Sequence, residues 1–173
     1  MLRRCQTRAV PTRRLVLVRH AEAGSAAVDA DRPLTASGAR RAVAIGAWLA
    51  DRDLAPDRAL VSPALRTVQT WEQAGGVSPV LHPLVADNTA EALLSVVREV
   101  PEDVGLLAII GHNPSVSVLV ALLDDGQGDD EARRGCQHGF PTGGVAVLDL
   151  HTPFSAVGPG TARLSAFAVP GSD

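Results

Sequence analysis

Arg19-His20 and Gly111-His112 each follow a run of strand-forming apolar residues, 14–18 and 106–110. A neutral imidazole carries a lone pair and can serve as nucleophile or base. Arginine presents a planar fork of donors that matches a phosphate-type anion. The residues after His20 are small (Ala21, Ala23 and Gly24), so backbone and ligand can approach closely. Two histidines carried to the ends of two hydrophobic strands can meet in one pocket, and open α/β sheets bind ligands at the carboxyl ends of their strands. Ser62 ends another short strand-type run, and Arg66 lies one turn into the helix that follows, its side chain directed back toward the helix start. His112 directly precedes a helix start, where free amides and the helix dipole favour an anion. Taken singly, each segment has a plainer account: a structural strand histidine, a surface arginine on an amphipathic helix, and a capping turn at Asn113-Pro114.

The elements that must position these residues alternate along the chain. Strand signals fall at 15–18, 58–61, 79–81, 104–110, 145–150 and 162–169. Thr35 can cap a helix reaching about residue 52, with Ala42, Ile45 and Leu49 at helical spacing. Ser62-Pro63 reads as N-cap plus first helical residue of a helix that runs to about residue 73. Thr89 can cap a third helix whose buried face is Leu93, Leu94, Val97 and Val100. Asn113-Pro114 repeats the cap-plus-proline signal and opens a helix to about residue 123. Residues 124–139 are polar and rich in Gly and Asp, and read as a mobile loop. The alternation predicts an α/β fold, a three-layer α/β/α sandwich around a mostly parallel sheet. The last two strands have no helix between them, so the sheet should be mixed.

The bulk properties bound the function. The chain has 173 residues, 46% hydrophobic and 20% charged, which indicates one globular domain. A formal charge of −3 argues against general nucleic-acid binding. All 16 basic residues are arginine, so any cationic contact in a site comes from Arg. Cys5 and Cys136 form neither a disulfide framework nor a zinc motif, and a reducing cytoplasm is the simplest setting. No apolar run reaches the ~18 residues of a membrane span, so no membrane partner is expected. Residues 1–13 are expected to be a basic tail outside a single domain at 14–173; the arginine-rich start can also be read as a targeting segment. His82, His138 and His151 have no HxxxH-type spacing, and no metal is expected. Trp48 and Trp71 lie within helices and read as core.

Together the segments Leu17-Val18-Arg19-His20-Ala21, Ser62-Pro63-Ala64-Leu65-Arg66-Thr67-Val68-Gln69-Thr70 and Ile110-Gly111-His112-Asn113-Pro114 resemble the histidine phosphatase superfamily, with its phosphoglycerate mutase-like fold. Arg32-Pro33-Leu34-Thr35-Ala36-Ser37-Gly38 and Pro141-Thr142-Gly143-Gly144 match further family segments. The likeness runs from about residue 15 to 169. Ala21 stands where the family usually has Gly. No glutamate occurs at 84–89, where larger members carry a general acid. The short length is similar to the compact SixA-type branch of phosphohistidine phosphatases.

The resemblance implies catalytic roles for His20, Arg19, Arg66 and His112, with no cofactor. Neutral His20 would attack phosphorus, with Arg19 and Arg66 disfavouring its protonated form. The two arginines and His112 would hold the phosphoryl oxygens, and water would then release inorganic phosphate. The substrate is either a phosphohistidine protein or a small sugar or nucleotide phosphate ester; a non-catalytic phosphate-binding module on the same fold is the third reading. Asp87, Glu22 and Glu91 are the candidates for a proton donor, and a phosphohistidine substrate has the least need of one.

Overall fold

A computed structural model of the chain describes residues 13–172. The strands are β1 (Arg13–Arg19), β2 (Arg58–Val61), β3 (Pro79–Leu81), β4 (Leu106–Gly111), β5 (Val145–Leu150) and β6 (Ala162–Ala168). The helices are α1 (Ala36–Ala50), α2 (Leu65–Ala74), α3 (Ala90–Arg98), α4 (Ser115–Leu123) and α5 (Asp130–Gln137). Short 3-10 turns lie at Asp29–Asp31, Pro83–Ala86 and Phe154–Ala156.

The six strands form one sheet in the order β3-β2-β4-β1-β5-β6. The β3–β2, β2–β4 and β4–β1 pairs are parallel; β5 is antiparallel to both β1 and β6. The sheet is therefore mostly parallel and mixed, as the alternation of elements predicts. From β1 the chain crosses toward the β3 edge, and from β4 it returns toward the β6 edge. The strand order thus reverses between β1 and β4, where α/β sheets open a ligand crevice.

Strand side chains alternate between the two faces, and each central strand feeds two cores. Leu15 and Leu17 of β1, Leu107 and Ile109 of β4, and Ala146 and Leu148 of β5 join the core beneath α3 and α4. Val16 and Val18, Ala108 and Ile110, and Val145 and Val147 join the core with Ile45 and Leu49 of α1 and Trp71 of α2. Burial on both faces explains the unbroken apolar runs at 15–18 and 106–110. Trp71 is fully buried. Trp48 is instead half-buried against that core, with the Arg52 guanidinium 4.2 Å above its ring.

Three local expectations are corrected. Residues 124–139 are not a structureless loop: Asp129 caps α5 by accepting from the Ala132 amide. Only Ala132 of α5 is buried, so its sequence shows no apolar stripe. Ser62 does not cap α2, which begins at Leu65 with no side-chain cap. Asn113 does not cap α4 either; the Ser115 amide donates to Asn88 Oδ1 from another segment. The expectation for the N-terminal tail falls on residues 1–12, outside the described ones, while Arg13 already belongs to β1. Among the described residues no helix is long and apolar enough to cross a membrane.

Candidate active site

The parallel register of β1 and β4 pairs Arg19 with Gly111, which places His20 and His112 next to each other just past the strand ends. The His20 amide donates to Gly111 O at 3.0 Å and prolongs the ladder by one step. The two imidazole centroids are 5.2 Å apart, close to one inter-strand spacing of about 4.8 Å. On the other side of β4 the Ser62 amide donates to Ile110 O at 3.1 Å, so Ser62 also continues the sheet. Its hydroxyl lies 2.8 Å from His112 Nε2.

Hydrogen bonds fix the tautomers of both rings. His20 Nδ1 is 2.8 Å from Ala21 O, and a carbonyl can only accept. Nδ1 therefore carries the proton and Nε2 the lone pair. Ala21 is itself anchored: its amide donates to Thr70 Oγ1 at 3.0 Å, and that hydroxyl donates to Arg66 O at 2.6 Å. His112 Nδ1 lies 3.4 Å from Arg66 Nη2, which can only donate. His112 thus keeps its lone pair on Nδ1 and donates from Nε2 to Ser62 Oγ.

Two family segments brace this arrangement from outside the strands. Thr35 accepts from the Gly38 amide and donates its own amide to Glu22 O at 3.0 Å. A Cβ at Gly38 would stand 2.1 Å from Glu22 O, so only glycine lets α1 rest on that backbone. Gly143, at φ 76°, donates its amide to Arg19 O and His20 O at 3.1 and 3.0 Å.

Arg19, His20, Arg66 and His112 all line one cleft of about 590 Å³, as do Arg32, Asp29 and Glu22. All four residues expected from the sequence are therefore brought together. Arg19 donates from Nη1 to Phe140 O at 2.8 Å. Arg66 donates from Nη1 to Asp29 O at 2.7 Å and from Nη2 to Asp29 Oδ2 at 3.0 Å. Of the three candidate proton donors only Glu22 lines the cleft; Asp87, between the lining residues Ala86 and Asn88, and Glu91 are exposed and do not line it. His82, His138 and His151 do not line it. Among the described residues no cluster of three or more His, Cys, Asp or Glu side chains stands ready to hold a metal ion.

Sequence reasoning missed Ser62 as the partner of His112, and it missed Asp29 and Asn88. Asn88, at φ 54°, donates from Nδ2 to Asn113 O and accepts from the Ser115 amide, so it pins the turn that carries His112. An Asn able to enter the left-handed region beside Asp87 was the available signal. Asp29 carried no local signal, because its partner is far along the chain.

Burial is the main cause that holds the His20 pKa down at about 4, with Arg66, Arg19 and Arg32 adding to it and the Ala21 hydrogen bond opposing it. Arg19 and Arg66 disfavour the protonated form as expected, but burial outweighs them. His112 is also lowered to about 4, by burial first and then by His20 and Arg66. In the unfolded chain both rings take up protons near pH 6.5. Between about pH 4 and 6.5 the unfolded chain therefore binds more protons, and stability rises with pH across that window. Imidazole NMR is expected to show both rings neutral at pH 5.5. A midpoint near 6.5 for either ring would contradict the burial argument.

The family model described as histidine phosphatase superfamily (branch 1) matches residues 15–92. Phosphohistidine phosphatase SixA of Escherichia coli is 34% identical over 121 residues, covering 64% of this chain and 74% of that protein. The chain belongs to the histidine phosphatase superfamily, in its SixA-type branch. A structure from Nakamurella multipartitia described as a candidate SixA is 31% identical with a TM-score of 0.84, over 93% of this chain and 98% of that one. The protein histidine phosphatase SixA in complex with tungstate gives a TM-score of 0.72 at 26% identity, over 89% and 95% of the two chains. Membership in the superfamily makes the chain a phosphatase, a hydrolase of phosphoryl groups.

Proposed function

We propose that this phosphatase acts on phosphohistidine in proteins through a covalent phosphohistidine formed on His20. The observation that carries the reading is the His20 Nδ1–Ala21 O bond, which leaves the Nε2 lone pair free beside His112 and two guanidiniums. His20 Nε2 attacks phosphorus as the bond to the leaving nitrogen breaks. The substrate imidazole, already protonated on its other ring nitrogen, takes the bonding pair and departs neutral, so the step needs no dedicated acid. Arg19 and Arg66 stabilise the oxygens of the transferring group, and His112, whose Nε2 donates to Ser62 Oγ, holds the Arg66 fork beside them through Nδ1. Water then attacks the phosphorylated His20, inorganic phosphate leaves, and the Nε2 lone pair returns. No step passes through a metal, and the two cysteines suit a reducing cytoplasm.

Relatives described as SixA support the phosphohistidine substrate, and the tungstate complex of one of them fits an oxyanion site. A second reading, a phosphatase of small phosphate esters, draws support from Glu22, since an alkoxide leaves well only when an acid protonates it. A substrate panel separates the two. A phosphohistidine peptide is expected to be turned over with kcat/KM about 100-fold above phosphoserine, sugar and nucleotide phosphates, the scale of help that a dedicated acid would give an alkoxide. A chelator should leave the rate unchanged. A sugar or nucleotide phosphate that matches or exceeds the phosphohistidine peptide would overturn the substrate assignment.

A further inference from the structure

We propose that Asp29 is a positioning residue that sets how tightly the cleft holds a phosphoryl oxyanion, and so how readily inorganic phosphate leaves it. The proposal rests on the reading of this cleft as the phosphoryl site. Arg66 is only 8% exposed, and two of its donors go to one residue of a distant segment. The guanidinium reaches Asp29 through Nη1 to the backbone carbonyl and through Nη2 to the carboxylate. Its Nη2 also stands beside His112 Nδ1, on the ring that neighbours His20. Asp29 thus fixes the turn of the arginine fork and aims its Nη2 edge into the centre of the cleft.

Asp29 is braced in its own right. Its second carboxylate oxygen accepts from Arg32 Nη1 at 3.2 Å, and Arg32 Nε donates to Gly24 O at 2.7 Å. The carboxyl is held below the usual range by these hydrogen bonds from Arg32 and Arg66, so it stays charged. A fixed negative charge therefore stands against the same guanidinium that receives the phosphoryl group.

The two effects of Asp29 act in opposite directions. Orienting Arg66 helps the oxyanion bind, while offsetting its charge weakens the hold on a dianion. Three arginines line the cleft. Without the carboxylate, substrate and product phosphate would both be held more firmly. Binding shared equally by ground and transition states does not raise kcat. The final step of the reaction, release of phosphate, would then slow.

Asp29→Asn separates the effects, because it keeps an oxygen able to accept from Arg66 Nη2 and removes the charge. Calorimetry with inorganic phosphate is expected to show about tenfold tighter binding in this variant, the scale of one neighbouring charge in a partly screened site. KM and kcat should fall together, as expected when product release becomes slower. Asp29→Glu, which restores the charge, should return phosphate affinity to within about twofold of wild type on the same electrostatic argument. Damage to the fold weakens anion binding and raises KM, so tightening is a readout that a merely structural role would not give. The Asp29 side chain is 72% exposed, so the variants should keep the wild-type thermal midpoint. Unchanged or weaker phosphate binding in a folded Asp29→Asn would overturn the proposal, as would loss of the fold. Failure of the wild type to bind phosphate beside the His20 and His112 rings, read from their NMR signals, would overturn the reading of the cleft itself.

Discussion

Replacing His20 by alanine is expected to abolish phosphatase turnover, by on the order of 10⁴–10⁶-fold, the loss seen when a covalent nucleophile is removed. The fold should survive. The His20 side chain lies outside both hydrophobic cores, and its ring makes one internal hydrogen bond, to Ala21 O. The ring is neutral at working pH, so its removal leaves no unpaired charge behind. Mass spectrometry of wild type quenched during turnover should find the phosphoryl group on the peptide that contains residue 20. Undiminished hydrolysis of an aryl phosphate by His20→Ala would end the nucleophile assignment, whatever the natural substrate.

Arg66→Ala should lower kcat/KM by about 10²–10³-fold, the cost of removing one preorganised donor from a site of developing charge. Arg66→Lys should recover little, because a point charge cannot reproduce the fork that meets Asp29 O, Asp29 Oδ2 and His112 together. The cost to stability should be small. The carboxylate left behind, on Asp29, is largely in water, so no buried charge is stranded. Steady-state rates beside a thermal melt decide the matter. Full activity in Arg66→Ala would mean that this guanidinium does not face the reacting group.

The central strands were legible because they are buried on both faces, which leaves an unbroken apolar signature at 15–18 and 106–110. The meeting of His20, His112, Arg19 and Arg66 was legible because the family segments sit at strand ends, whose register the sheet enforces. Ser62 and Asn113 were misread for one shared reason. Each has the local chemistry of a helix cap, but their side chains go elsewhere: Ser62 meets His112, and Asn113 donates to Phe140 O. A cap propensity is a local preference, and a buried polar partner outweighs it. Helix α5 was hidden by composition, since its single buried residue leaves no periodic pattern to detect. Asp29 was invisible because its pairing with Arg66 spans 37 residues and depends on tertiary closure alone.

The separation of the two imidazoles is inherited from the pitch of the β1–β4 ladder rather than from any loop. That makes the spacing of the two rings a rigid chassis set by the sheet. Segments 24–33 and 83–89 stand off the ladder, and each touches the centre through one residue: Asp29 holds Arg66, and Asn88 pins the turn of His112. New leaving-group preferences can arise by remodelling the rest of these loops while the ring spacing stays as the sheet dictates.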